Sequence, residues 1–185
     1  MLWSFRRRWS ALLGLLLVHA GETISRDRLI EELWGEARPA TVDSALHVYL
    51  SRLRRLFESA GAGSALVRER YGYRLQVEPE QLDANRFERL AGEGSGALAT
   101  GKVELAAERL RQALALWRGS ALADLQSEHF AIAAAARLEE ERVAALEQRL
   151  EADLVLGRHQ QLIHELGVLV AEHPYRERLH AQLML

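Results

Sequence analysis

The sequence predicts a mainly α-helical protein of two domains, three helices and a β-hairpin within residues 1–80, then a run of helical hairpins over 81–185. Three observations carry this. Apolar residues recur at helical spacing in three segments before residue 60. A short basic stretch, LVRERYGYRLQV, then alternates apolar and polar residues on each side of Tyr71-Gly72, as two strands joined by a tight turn do. From Leu82 onward the alternation stops and helical periodicity takes over.

Bulk properties narrow the function classes. A chain of 185 residues can bury a sizeable core. It has no cysteine, which excludes disulfides, thiolate metal sites and a cysteine nucleophile, and fits a reducing cytoplasm. The net charge of −2 hides an asymmetry: 12 basic and 8 acidic residues lie before the end of Val77, 12 and 18 after it. A basic module followed by an acidic one is the pattern expected when only the first meets a polyanion.

The elements follow in order. Arg6 to Arg8 and the apolar run Trp9 to Ala20 fit two readings, a secretory signal peptide or a buried first helix with Trp9, Leu12, Leu13, Leu16 and Leu17 facing inward. The run is too short to span a membrane. His19 within it and the lack of a small-x-small cleavage pattern favour the buried helix. Ser25 is placed to cap SRDRLIEELWG, with Leu29, Ile30, Leu33 and Trp34 inward and Gly35 as the stop, although Arg28 stands where a capping box would need Glu.

The central element is PATVDSALHVYLSRLRRLFE, read as one helix over 39–58 with Pro39 in its first turn. Winding it at about 100° per residue gathers Val42, Ala45, Leu46, Tyr49, Leu50, Leu53, Leu56 and Phe57 into an arc of roughly 140°, a core-facing stripe. The opposite side carries Ser44, His47, Val48, Ser51 and Arg55, with Arg52 and Arg54 on the flanks. Short side chains let a helix approach base edges, and flanking arginines neutralise phosphates, so this side suits a major groove. Any surface helix has a polar side; what distinguishes this one is its position between a helix-turn and a hairpin made basic by Arg68, Arg70 and Arg74.

Three helices followed by a basic hairpin is the order of a winged helix-turn-helix. SRDRLIEELWG, ATVDSALHVYLSRLRRLF and VRERYGYRL together resemble the OmpR-type winged helix of SARP-type bacterial transcriptional activators, over about Arg6 to Val77. The resemblance implies that Thr41 to Phe57 is the recognition helix and that Arg70 and Tyr71 form the wing, on the DNA backbone or in the adjacent minor groove. It implies that Ser44, His47, Val48, Ser51 and Arg52 approach DNA, with Arg54 and Arg55 toward phosphates. Tyr49 and Tyr73 fall at packing positions. The connector Gly35 to Arg38 resembles the loop that such activators offer to RNA polymerase. Members normally begin with a small antiparallel sheet; this chain has only MLWSF there, and is expected to leave Trp3, Trp9 and part of the first helix exposed.

In the second part, Asp83 is read as the cap of a helix weakened or bent by Gly92, Gly94 and Gly96, each costing about 1 kcal/mol relative to alanine. A second helix follows Gly101, a long one runs from Ser127 to Leu156, another follows Gly157, and a last begins after His173-Pro174. LATGKVELAAERLRQAL and LVLGRHQQLIHELGVLV superpose at an offset of 56, as stacked helical hairpins require. With FERL, ALALWRG, ARLEEERVAALE and EADLVLGRH, this part resembles the TPR-like bacterial transcriptional activator domain that follows the winged helix in SARP-type proteins. Against that pattern the chain looks truncated at both ends, with the last hairpin unmated and Leu179, Leu183 and Leu185 expected to be exposed.

No catalytic constellation is present in the sequence. Glu139, Glu140 and Glu141 read as a solvated helix side, and His159 and His164 are five apart on different helix sides, so neither metal nor cofactor is expected. The reading is a cytoplasmic, non-enzymatic, sequence-specific DNA-binding regulator and activator, acting on double-stranded DNA, with RNA polymerase contact and self-association through the helical domain as its protein partners and no membrane. The alternative is a helical protein-interaction scaffold with a vestigial DNA-binding domain, or, on the signal-peptide reading, a secreted helical protein.

Overall fold

The structure, a computed structural model, describes residues 2–185, with side chains from residue 8 onward. The chain forms two compact units. One comprises Met1–Glu78 with Ser120–Arg137, the other Pro79–Gly119 with Leu138–Leu185.

The first unit is built on helices α1 (Leu2–Val18), α2 (Arg26–Trp34) and α3 (Val42–Ser59) and strands β1 (Thr23–Ser25), β2 (Leu66–Arg68) and β3 (Gly72–Leu75). Leu12, Leu15 and Leu16 make α1 a core helix, with Trp9 half-buried beside them, not exposed as expected; the Trp3 side chain lies outside those described. The α2 boundaries follow the sequence. The Ser25 hydroxyl accepts the Arg28 N–H at 3.2 Å, and Gly35 turns the chain at φ +50°. Leu29, Ile30, Leu33 and Trp34 are buried as their spacing requires.

Three features differ from the sequence reading. β1 was not anticipated: it joins β2 and β3 in an antiparallel sheet of order β1-β3-β2. Three residues are too few to show an alternating pattern. α3 starts at Val42 rather than Pro39, which instead closes a turn by accepting the Val42 N–H at 3.0 Å. The hairpin tip is Arg70-Tyr71, as the family resemblance implies and one residue earlier than the alternation alone suggests, because Glu69 N–H bonds the Gly72 carbonyl and Gly72 already pairs with Ser25.

The same unit contains a segment expected to belong to the helical domain. Leu122, Leu125, Phe130 and Ala131 pack into its core, and Leu125 fills the notch left by Gly14 on α1, where a β-carbon would come within 2.1 Å of the leucine methyl. This covers part of the first-helix face that the sequence left bare.

The second unit comprises α4 (Asp83–Ala99), α5 (Val103–Leu114), most of α6 (His129–Val155), α7 (His159–Glu172) and α8 (Glu177–Leu183). α4 is one uninterrupted helix despite its glycines. Gly94 is buried, and a β-carbon there would lie 2.6 Å from Leu110 Cγ, so glycine lets α4 and α5 approach closely. Asp83 is the first helical residue, not the cap; its carboxylate accepts the Ala84 N–H and pairs with Arg118. Leu179 is buried, contrary to expectation, while Leu183 and Leu185 are exposed.

The internal repeat has a structural counterpart. Gly101 and Gly157 both adopt positive φ, +72° and +75°. Gly101 N–H bonds Leu98 O and Lys102 N–H bonds Ala97 O; Gly157 N–H bonds Leu154 O and Arg158 N–H bonds Asp153 O. Each repeat ends a helix with the same left-handed glycine cap. The second copy adds a buried polar hub: Asp153, 2% exposed, accepts from Arg111, Arg149 and Arg158, and Arg149 also pairs with Glu165.

Candidate nucleic-acid interface

α3 is oriented by its apolar stripe. Leu46, Tyr49, Leu50 and Leu53 are buried, and Val42, Ala45 and Phe57 pack at the margin. Tyr49 stacks on Trp34 of α2 with ring centroids 5.8 Å apart, and the Arg8 guanidinium covers that indole at 5.5 Å. Leu56 is the exception to the expected stripe: it is 43% exposed although it falls within the arc.

Fixing that stripe inward turns the other side of α3 outward. Ser44, His47, Val48, Arg52 and Arg55 are exposed, and Ser51 and Arg54, on the same side, are half-buried. Val48 is 42% exposed although it is apolar, on a helix that has ample apolar surface elsewhere to bury. The row combines two serines, an imidazole, one branched methyl pair and three guanidinium groups, which gives hydrogen-bond donors and acceptors, one apolar contact and positive charge on a single convex ridge.

The remaining two predicted residues sit on the hairpin. Tyr71 is 70% exposed and the Arg70 guanidinium lies 5.0 Å over its ring. Arg68 is exposed, but Arg74 donates to Glu69 from Nε and a terminal nitrogen at 3.1 and 2.9 Å, so the hairpin is less basic than its arginine count implies. Tyr49 and Tyr73 take the packing positions expected of them.

The helix and the hairpin meet at Arg26, which no local sequence pattern singles out. Its backbone N–H donates to the Tyr71 carbonyl at 3.0 Å, and its guanidinium pairs with Asp43 in the first turn of α3. Only the folded β1–β3 pairing brings these residues together. Among the described residues no group of three or more His, Asp or Glu side chains could hold a metal ion, and no helix is long and apolar enough to cross a membrane.

A helix-turn-helix carrying an outward polar ridge and a basic β-hairpin, joined to helical hairpins, defines a winged-helix transcriptional regulator. Residues 4–75 match the family model for the transcriptional regulatory protein C-terminal domain, and 82–185 match the bacterial transcriptional activator domain. The chain is 41% identical over 186 residues to the regulatory protein DnrI of Streptomyces peucetius, covering 97% of this chain and 68% of that one. It is 36% identical to the transcriptional regulator RedD of Streptomyces coelicolor, covering 94% and 51%. The solved structure of Mycobacterium tuberculosis EmbR in complex with a low affinity phosphopeptide superposes with a TM-score of 0.91 at 36% identity, covering 96% of this chain and 47% of that one. The chain belongs to the SARP-type family of DNA-binding bacterial transcriptional activators.

Proposed function

We propose that this chain reads a specific double-stranded DNA site by laying α3 in the major groove. Ser44, His47, Val48, Ser51 and Arg52 face base edges, Arg54 and Arg55 hold phosphates, and Arg70 and Tyr71 place the wing on the backbone or in the neighbouring minor groove. The observation that carries the reading is the outward ridge of α3, whose seven predicted residues share one side of a helix anchored by Tyr49 on Trp34.

On this reading the chain acts in the cytoplasm and needs no catalytic group. The connector between α2 and α3 is a surface for RNA polymerase. Arg38 shapes it, donating from Nε to the Gly35 carbonyl at 3.0 Å while pairing with Glu31. The helical unit supports self-association, with Ile163 and Val168 of α7 and Leu183 of α8 exposed.

The test is a set of duplex titrations. Arg52→Ala is expected to weaken binding to the selected site by about tenfold, within the roughly 1–3 kcal/mol of a base contact, and to relax preference at one position. Arg70→Ala is expected to weaken all sequences alike and to reduce the salt slope by about 1. Equal, sequence-independent losses from both would contradict the assignment. A folded chain that binds no duplex at low salt would favour the helical interaction scaffold.

A further inference from the structure

We propose that Arg26 is a positioning residue for DNA binding that acts through Asp43, neutralising the one carboxylate in the first turn of the recognition helix so that α3 can enter the groove. The inference rests on the reading that α3 and the wing contact DNA.

Asp43 is placed awkwardly for that task. It is the acidic residue of α3's first turn, it is 65% exposed, and it lies one helical turn before His47 on the flank that also carries Arg54. A carboxylate on that flank favours the helix itself, because it meets the positive end of the helix dipole, but it repels a phosphate backbone that approaches the same flank. The fold resolves the conflict with Arg26. This residue starts α2, immediately after the Ser25 cap, and its backbone is held by the Tyr71 carbonyl at the hairpin tip. From there the side chain reaches Asp43, and it lies 3.7 Å from the more exposed Asp27 as well. A guanidinium fixed at its backbone beside the wing therefore cancels the negative charge at the start of α3. Its own role differs from that of Arg54 or Arg55, which are assigned to phosphate directly.

The two roles separate in a double-mutant cycle on the full chain, with affinity for one fixed duplex measured at several salt concentrations and folding followed by thermal melting. Arg26→Ala is expected to weaken binding about fivefold, the scale of an exposed charge pair, with no change in salt slope. Arg26→Lys, which keeps the charge, is expected to bind like the parent. Asp43→Asn and the double variant Arg26→Ala/Asp43→Asn are both expected within about twofold of the parent, because removing the carboxylate removes the need for its partner. A double variant as weak as Arg26→Ala, with the slope reduced by about 1, would show a direct phosphate contact and overturn the proposal. So would Arg26→Ala binding as tightly as the parent. Loss of DNA binding by the parent chain would be a different failure, that of the DNA-contact reading itself.

Discussion

At Gly72 the backbone of the wing comes so close to β1 that a β-carbon would lie 2.0 Å from the Ile24 carbonyl oxygen. Neither that oxygen nor the adjacent Ser25 backbone can yield without breaking the β1–β3 pairing. Gly72→Ala is therefore expected to cost at least the 1–3 kcal/mol or so typical of overpacking, and to displace the wing tip that Arg26 holds. Chemical denaturation would register the loss, and an unchanged midpoint would show that β1 does not form as described. The glycine was visible in the sequence, but as a turn residue. Its actual partner is a three-residue strand 47 positions earlier, a relation that no local pattern encodes. The outward side of α3 was legible for the opposite reason: Ser44, His47, Val48, Ser51, Arg52 and Arg55 are defined by not being on the apolar stripe, and the stripe is a local property of α3.

At the scale of elements, caps and stripes were readable where one helix decides its own fate, and misread where a neighbour intervenes. Ser25 caps α2 as its side chain and position require, and Ser25→Ala is expected to destabilise the unit by about 1 kcal/mol in a melting experiment. α4 shows the converse. Its glycines argue for a bent helix, but Gly94 gains a close approach to Leu110 that offsets its low propensity. The segment following α5 is the clearest case. Leu125, 8% exposed, sits against Gly14 and in the core with Leu12 and Leu15, although 110 to 113 positions separate it from them. Leu125→Ala is expected to cost about 2–5 kcal/mol, as large-to-small core substitutions do. A fragment of residues 1–80 is expected to melt at a lower temperature than the same residues within the whole chain; equal melting would mean that the segment adds nothing to the first unit.

Across the whole molecule the charge asymmetry becomes a functional division. The basic excess before residue 78 includes the arginines of the α3 ridge and of the hairpin, while the acidic excess lies in the helical part. Many of those acidic groups are spent on internal pairs such as Arg176 with Glu140 and Arg178 with Glu151. Glu80 shows the effect of such pairing: the Arg89 guanidinium, bonded to it, holds its carboxyl below the usual carboxylate value. The first unit presents the α3 ridge and the wing to a polyanion, which makes salt the sensitive variable. The most direct test is the affinity of the full chain for a random-sequence duplex as salt is raised. With Arg54, Arg55 and Arg70 on phosphates, log affinity is predicted to fall against log salt with a slope of about −3 or steeper. Binding that is flat in salt, or absent at low salt from a chain shown to be folded, would contradict a DNA-binding role for the α3 ridge and the wing.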